Sequence, residues 1–231
     1  MAIYAISDLH LSFNTDKPMN IFGWINHEEK IKESWKENIN ENDLVLLPGD
    51  FSWEMTLKDT YKDFDFINNL PGKKLLLKGN HDLWWTSLKK MNEYVEENFK
   101  DIGFIYNNSF LYEDKIIVGT RGWTLLNPND EDNKKIVARE TLRLEMSIKD
   151  GIAKYGDDKE IICMMHYPPL IKDAMENSFV DVLKKYNIKT CLYGHLHGKA
   201  QEGLIEGIHD GINYIMVSCD YTNFKVVKIC D

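Results

Sequence analysis

The chain has 231 residues, 43% hydrophobic and 12% aromatic, and a formal net charge of -9 at pH 7. This length and composition exclude a disordered chain and favour one globular domain with a sizeable core. The acidic balance argues against sequence-independent nucleic-acid binding, which requires a basic surface, but bound cations could still hold a small anionic substrate.

The first half of the chain alternates predicted strands with predicted helices. Apolar runs predict buried strands at 2–7, 44–47 and 74–77. Apolar residues at helical spacing predict helices at 28–39, 57–67 and 84–95. This order implies right-handed crossovers and a largely parallel sheet.

The second half is less regular. Residues 104–106 and 110–112 flank Asn107-Asn108 and are typical of a hairpin, with a third strand at 115–119. The loop and charged helix at 121–151 are interpreted as a cap-like insertion over the functional site. Buried strands follow at 160–165 and 190–193, then alternating strands at 204–208, 212–218 and 224–229. No repeat or linker is evident, so residues 1–231 are predicted to form one domain.

Polar residues stand at the carboxyl ends of five predicted strands. They are Asp8 with His10, Asp50, Asn80 with His81, His166, and His195 with His197. Five of the seven histidines of the chain are in this set. Functional groups in open α/β sheets collect beyond the carboxyl ends of the strands, so these side chains are expected to share one crevice.

Imidazole and carboxylate ligands together suit Mn, Fe or Zn better than Mg or Ca. Two such ions about 3.5–4 Å apart would clamp a phosphate and generate a bridging hydroxide at neutral pH. Such a pair needs a bridging ligand, a role open to a carboxylate but not to an imidazole. Asp50 lies between the two halves of the set and is the predicted bridge.

The ordered motifs resemble those of the calcineurin-like metallophosphoesterase superfamily. They are Asp8-x-His10, Gly49-Asp50, Gly79-Asn80-His81-Asp82, His166 and Gly194-His195-x-His197, and they span nearly the whole chain. The resemblance implies an α/β sandwich of two mixed sheets packed face to face and flanked by helices in four layers. It also implies a metal-dependent phosphoric ester hydrolase.

The resemblance also implies individual roles. Asp8, His10, Asp50 and His197 would hold the first metal. Asp50, Asn80, His166 and His195 would hold the second. His81 would protonate the leaving group, and Asp82 would orient His81, which agrees with the general logic of an acid held in one tautomer by a carboxylate.

Two branches of the superfamily do not fit. The protein Ser/Thr phosphatases carry Asp-Arg-Gly soon after the second motif, where this chain has Phe51-Ser52-Trp53-Glu54, and their tetrad ends in Glu where this one has Asp82. Purple acid phosphatases place a Tyr ligand at the position of Trp53. The motifs are more similar to those of small bacterial phosphodiesterases and phosphohydrolases.

Three residues are candidates for substrate binding: Arg121, Trp85 and Tyr167. Arg121 could bind a phosphate oxygen or form an ordinary surface ion pair. Trp84 continues a helical apolar stripe and is expected in the core, whereas Trp85 could wall the pocket or stack on a base. His27 is expected to be solvated before a helix.

The leading hypothesis is therefore a phosphoesterase with two transition-metal ions and a small phosphate-ester substrate, either a monoester or a diester. A nuclease and a non-catalytic scaffold are the alternatives. The acidic net charge disfavours the nuclease, because it argues against a nucleic-acid partner. The intact set of predicted metal ligands disfavours the scaffold. The four cysteines are scattered, and no signal peptide or membrane span is evident, so a reducing cytoplasmic location is expected. The oligomeric state is left open.

Overall fold

Two β-sheets pack face to face and carry the helices on their outer faces. The computed structural model describes residues 1–15 and 17–231. The strands are β1 (Ile3–Ala5), β2 (Leu44–Leu47), β3 (Lys73–Leu77), β4 (Ile102–Ile105), β5 (Phe110–Tyr112), β6 (Lys115–Thr120), β7 (Glu160–Met165), β8 (Thr190–Tyr193), β9 (Gly207–His209), β10 (Ile212–Met216) and β11 (Val227–Cys230). The helices are α1 (His27–Asn38), α2 (Tyr61–Asn68), α3 (Leu88–Asn98), α4 (Glu131–Tyr155) and α5 (Ser178–Lys185), and short 3₁₀ helices span Met19–Phe22 and Gly198–Gly203.

Both sheets are mixed, as the sequence predicted. The first has the order β11-β1-β2-β3-β4, in which only β11 is antiparallel to its neighbour. The second has the order β5-β6-β7-β8-β10-β9, with antiparallel pairing of β5 and β9 at its two edges. The carboxyl ends of the central parallel strands of each sheet therefore lie along one edge.

Alternation along the strands produces the four layers. In β2, Leu44 and Leu46 face the second sheet, whereas Val45 and Leu47 face the helices. Successive strand residues point to opposite faces, so a strand covered on both sides is apolar throughout, as this one is. The outer face of the first sheet packs on α1, α2 and α3, and that of the second packs on α4 and α5.

The predicted hairpin around Asn107-Asn108 is wrong. Strand β4 joins the first sheet beside β3, and β5 joins the second sheet beside β6, so the chain crosses between sheets at this turn. The Asn108 side chain stabilises the crossing, because it accepts the N–H of Tyr106 (2.6 Å) and donates to the carbonyl of Phe104 (3.1 Å). The true hairpin joins β5 to β6.

The helix at 131–155 is not a cap-like insertion. It connects the parallel neighbours β6 and β7, and its Leu144 and Ile148 are fully buried against the second sheet. It is therefore the crossover helix of an ordinary βαβ unit. The many charges that suggested an insertion lie on its outer face and around the buried Glu140.

The loops that follow β2 and β3 are joined by the buried carboxylate of Asp82. Five N–H groups donate to it: those of Asp50 (2.9 Å), Phe51 (3.0 Å), Ser52 (3.2 Å), Gly79 (2.7 Å) and the Trp84 indole (3.0 Å). A buried carboxylate is tolerated only when its oxygens are satisfied in this way. Asp82 thus fixes the position of Asp50 relative to Gly79.

A second buried carboxylate, Asp63 on α2, holds the same loop from the other side. It accepts the backbone N–H of Phe13 (3.0 Å) and the hydroxyl of Ser52. Burial raises the pKa of Asp63 from 3.8 to about 6, although these hydrogen bonds oppose the shift.

Replacing Asp82 by Asn is expected to lower the free energy of unfolding by about 3 kcal/mol, because an amide nitrogen cannot accept hydrogen bonds and would face N–H donors. Chemical denaturation of the metal-free protein measures this. Asp157→Asn, at an exposed site, is the matched control and should change the free energy by less than about 0.5 kcal/mol. Equal stability of the two variants would contradict the role given to Asp82.

In the metal-free protein, Asp63→Asn should gain stability relative to wild type as pH rises from 4 to 7. Because the folded state binds the proton of Asp63 more tightly than the unfolded state, wild-type stability falls as pH rises from 3.8 through about 6. An amide does not titrate, so the difference in free energy of unfolding between variant and wild type should change by about 2.4 kcal/mol, in favour of the variant, between pH 4 and pH 7. Denaturant titrations across this range would refute the assignment if the difference stayed constant.

Candidate metal centre

The two sheets meet where their strands end. Beyond β1, the N–H of Ser7 donates to the carbonyl of Val217 (2.8 Å), and the N–H of Cys219 donates to the carbonyl of Ser7 (3.0 Å). These bonds tie the first sheet to the segment that follows β10 in the second. The polar residues after β1, β2, β3, β7 and β8 are consequently brought into one crevice, as expected from the sequence.

One group of potential ligands consists of Asp8, His10 and His197. Each offers a ligand atom, and these atoms lie within 4.8 Å of one another. The Nε2 atom of His197 is 3.4 Å from Oδ1 of Asp8. Asp8 is fully buried, and its Oδ2 accepts hydrogen bonds from the hydroxyls of Ser7 (2.5 Å) and Ser218 (2.8 Å). This leaves its Oδ1 facing the histidines.

The second group consists of Asp50, His166 and His195, again with ligand atoms within 4.8 Å of one another. Asn80 joins it, since its Oδ1 is 2.6 Å from Nε2 of His166. The Nδ1 atom of His195 is 3.2 Å from the same nitrogen. These four side chains are the ones that the sequence motifs assign to a second metal.

Asp50 lies between the two groups. Its Oδ2 atom is 3.7 Å from Nε2 of His10 and 3.5 Å from Nε2 of His166. Its Oδ1 atom accepts the backbone N–H of His81 (2.8 Å) and is thereby fixed. Asp50 is thus within reach of both groups.

Hydrogen bonds on the far side of two imidazoles set their orientation. The Nδ1 atom of His166 pairs with the carbonyl of Pro48 (3.1 Å), which can only accept, so Nδ1 carries the proton and Nε2 presents its lone pair to the crevice. The Nδ1 atom of His197 likewise donates to Oδ1 of Asp220 (2.8 Å). Such partners fix the tautomer of metal-binding histidines in proteins.

Asp220 is a site residue that the sequence reasoning missed. Its Oδ2 also accepts the backbone N–H of Gly198 (3.3 Å) and the amide of Gln201 (2.9 Å), so it anchors the whole 197–201 turn. The signal was present: the run that ends β10 leads into Ser218-Cys219-Asp220, the same pattern of polar residues after an apolar strand seen at the other motifs.

Two imidazoles of the centre are in the protonation state that binds metal ions. Burial lowers the pKa of His166 to about 3 and that of His195 to about 4, so both are neutral ligands near pH 7. Burial and the nearby charges of Asp8 and Asp82 raise the pKa of Asp50. Burial opposes charging of His197, but the hydrogen bond to Asp220 and the nearby Asp8 carboxylate raise its pKa to about 10. A metal ion would therefore have to displace the proton on Nε2 before His197 could act as a ligand.

Some potential ligand residues of the centre also have buried nitrogen atoms without a hydrogen-bond partner. Within the described residues, Nδ1 of His10 and Nε2 of His197 are buried without a hydrogen-bond partner. Native proteins rarely leave buried polar atoms in that state unless an ion or water completes them. Carboxylate, imidazole and amide oxygen are the ligands that transition metals such as Mn, Fe and Zn accept.

Close backbone approach explains the two glycines that precede these motifs. A Cβ on Gly79 would lie 2.0 Å from Oδ1 of Asp50, and one on Gly194 would lie 2.4 Å from Oδ2 of Asp8. Four site residues are also held in the left-handed region of φ, namely Asp8 (59°), His10 (46°), Asp50 (52°) and His195 (73°). Such strain is characteristic of functional sites where the surrounding structure dictates the backbone.

His81 projects beside the two groups rather than into either. Its ring centroid lies 5.6 Å from that of His10 and 4.3 Å from that of Trp53. Burial lowers its pKa below the ordinary value, although Asp8 opposes the shift. The prediction that Asp82 orients His81 is wrong, because both Asp82 oxygens are occupied by the N–H donors described above.

The three substrate-binding candidates separate in the structure. Trp85 is only 8% exposed and packs on Phe104 and Tyr106, so it belongs to the core and cannot stack on a substrate. Tyr167 lies against the centre, with its ring 4.0 Å from that of His195. Arg121 lies next to the centre, in a group of charged residues described below.

His27 is also placed differently from the expectation of a solvated histidine. It is 2% exposed, and its Nε2 bonds to the carbonyl of Leu9, between Asp8 and His10 (3.1 Å). It therefore supports the backbone of the first motif. Trp84, by contrast, is buried as expected.

Comparison with known proteins agrees with this architecture. The chain is similar to the crystal structure of TT1561 of Thermus thermophilus (12% identity, TM-score 0.61, covering 99% of this chain and 97% of that one). It is also similar to phosphopantetheinyl hydrolase PptH from Mycobacterium tuberculosis (15% identity, TM-score 0.57, covering 99% of this chain and 95% of that one). A third similar structure is AQ665 from Aquifex aeolicus, a protein of unknown function (18% identity, TM-score 0.52, covering 98% of this chain and 95% of that one). At these identities the likeness shows the fold.

A search of curated proteins finds no match to the chain. No helix of the described residues combines the length and apolar character needed to cross a membrane. The family model of the calcineurin-like phosphoesterases matches residues 1–199, and this confirms the resemblance noted from the motifs. The protein belongs to the calcineurin-like phosphoesterase family.

Proposed function

We propose that the protein is a phosphoesterase that uses two metal ions to hydrolyse a phosphate monoester or diester. The placement of Asp50 supports this most directly. One buried carboxylate oxygen faces His10 at 3.7 Å and His166 at 3.5 Å, each in a separate group of ligands. A single carboxylate shared by two sets of imidazoles is the arrangement that a pair of cations requires.

The first ion would be held by Asp8, His10, Asp50 and His197, and the second by Asp50, Asn80, His166 and His195. Mn, Fe or Zn fits this mixture of nitrogen and oxygen ligands. When bound, such ions supply Lewis acidity toward the phosphoryl group and lower the pKa of water.

His81 is proposed as the general acid. Its backbone N–H is anchored on Asp50, and Trp53 packs against its ring, so the imidazole is held at the mouth of the centre. It would donate a proton to the leaving oxygen, and a phosphate anion bound beside it would offset the effect of burial by favouring the imidazolium. The amide of Asn80, on the same turn, would help to position the phosphoryl group.

The organic part of the substrate would occupy the cleft beside His81. This cleft has a volume of about 540 Å³, and its lining includes His10, His81, His197, Met19, Phe22, Trp24 and Trp53. A cleft of this size with mainly apolar walls is typical of small-molecule sites. Phe22 is 66% exposed at its rim, where it could contact an incoming ligand.

The thiols support a reducing compartment such as the cytoplasm. Cys163 and Cys191 are direct partners on neighbouring strands β7 and β8, yet both are free. Disulfides form in oxidising compartments.

Loading the purified protein with Mn²⁺ should produce hydrolysis of aryl phosphate esters, and removal of the metal by a chelator should abolish it reversibly. Asp50→Asn is expected to lose both metal binding and turnover, because an amide cannot bridge two cations. Calorimetry with Mn²⁺ and steady-state assays on mono- and bis-aryl phosphate measure the two effects. Asp157→Asn is the control. A wild-type protein that binds no transition metal and turns over neither substrate would contradict the proposal.

Replacing His81 by Ala should reduce kcat/KM by about 10²–10⁴-fold for esters with strongly basic leaving groups, which need a proton. The loss should shrink for nitrophenyl esters, which do not. A series of aryl and alkyl phosphates of increasing leaving-group pKa measures the slope. His209→Ala, in the β9–β10 hairpin, serves as control. An equal loss across the series would exclude His81 as the general acid.

A further inference from the structure

A second cavity lies next to the metal centre and is rich in positive charge. It has a volume of about 190 Å³ and contains Lys78, Arg121, Arg139, Glu140 and Arg143, which are called the basic pocket here. Lys78 follows β3, Arg121 follows β6, and the other three residues lie on α4. The pocket therefore opens at the same edge of the sheets as the ligand groups.

The charges of the basic pocket do not balance. Glu140 is 1% exposed, and its Oε1 lies 2.8 Å from Arg143, 3.1 Å from Arg139 and 3.8 Å from Arg121. Its Oε2 is occupied by the hydroxyl of Thr120 (2.8 Å). Among the described residues that line the cavity, Glu140 is the one carboxylate beside three guanidinium groups and an ammonium group. A buried acid needs one partner, so this surplus is not explained by the needs of Glu140 alone.

Aromatic rings hold two of the guanidinium groups in place. Arg121 lies over the ring of Trp123 (4.6 Å), and Arg143 lies over that of Tyr106 (5.8 Å). The Nε atom of Arg121 is buried and donates no hydrogen bond within the described part of the chain. Pre-arranged donors of this kind suit the planar, multidentate recognition of phosphate oxygens.

The strand order sets the distance to the metal centre. Strand β4 lies next to β3 on the side away from β2, and β6 lies next to β7 on the side away from β8. Neighbouring strands are about 4.8 Å apart. The basic pocket is lined from the ends of β3 and β4 in the first sheet and of β6 in the second. Lys78 therefore lies two residues before Asn80, and Arg121 lies one strand away from His166. The carbonyl of Arg121 accepts the N–H groups of His166 (3.2 Å) and Tyr167 (2.9 Å), which joins the two sites directly.

We propose that the basic pocket binds a second phosphate group of the substrate, so that the enzyme prefers phosphate esters carrying a further phosphoryl group about 10 Å away or less. This inference rests on the proposed function, since it assigns the specificity of the same site. The volume supports a single anionic group rather than a whole ligand, because ligand pockets span about 300–1,000 Å³. An excess of positive charge in a chain of net charge -9 would also steer the anion to this place.

The test compares alkanediol bisphosphates of increasing chain length with the matching alkyl monophosphates, using the Mn²⁺-loaded protein. Wild type should favour the bisphosphate in kcat/KM by about tenfold or more at one chain length. Arg143→Gln and, separately, Arg139→Gln should reduce this ratio toward unity, and raising the ionic strength should reduce it as well. Lys149→Gln, an exposed position on the same helix, is the control and should keep the ratio.

Binding of inorganic phosphate to metal-free protein, prepared by chelation and dialysed free of chelator, gives a readout besides turnover. Calorimetry should show binding that weakens about tenfold in Arg143→Gln. The phosphate-binding role of the basic pocket would be overturned if wild type showed no preference for bisphosphates, or if the preference survived both arginine variants. Hydrolysis of monophosphates would in either case leave the proposed function standing. Failure to hydrolyse either class would instead contradict the proposed function. Absence of phosphate binding to the metal-free protein would contradict the phosphate-binding role of the basic pocket, whether or not turnover is seen.

Discussion

The buried carboxylate of Asp82 is the interaction on which the site depends. It gathers N–H groups from two loops that belong to different strands, so Asp82 sets the position of the Asp50 backbone, and the N–H of His81 then holds Oδ1 of the Asp50 side chain. Asp50 can therefore keep an oxygen directed between the two ligand groups. Burial of this charge is a cost to stability and raises the pKa of Asp82, and five hydrogen bonds from N–H groups oppose that cost.

The crowding of the centre follows from bringing the ends of two sheets together. Gly79 and Gly194 allow backbone and carboxylate to approach more closely than any side chain would permit. Left-handed φ values at Asp8 and Asp50 turn the chain sharply after the strands. Strained backbone, buried carboxylates and unpartnered imidazole nitrogens are separately unfavourable. Metal binding would compensate all of them, because it adds positive charge and ligand bonds at the point of strain.

Electrostatics divides the surroundings of the centre into two contrasting regions. On the side of His81, Trp24 and Trp53 form apolar walls suited to an organic group. On the side of β4 and β6, Arg121 and Arg143 present surplus positive charge around Glu140. The charge of this pocket is thus opposite in sign to the net charge of the chain. For this reason the net charge of a chain says little about which ligands a single site can bind.

The sequence alone predicted the residues that form the two groups of potential ligands, since polar residues after apolar strands such as Asp50 and His166 carry a local signal. It could not determine partners distant in the chain. Asp82 is adjacent to His81 in sequence, but its carboxylate binds the loop around Asp50. Trp85 is buried in the core. Asp220 pairs with His197, which is 23 residues away in the chain. It also could not show that β4 and β5 enter different sheets. Local patterns set strands and their ends, because these depend on neighbouring residues. Only the tertiary structure decides which ends meet, because that depends on how the two sheets pack.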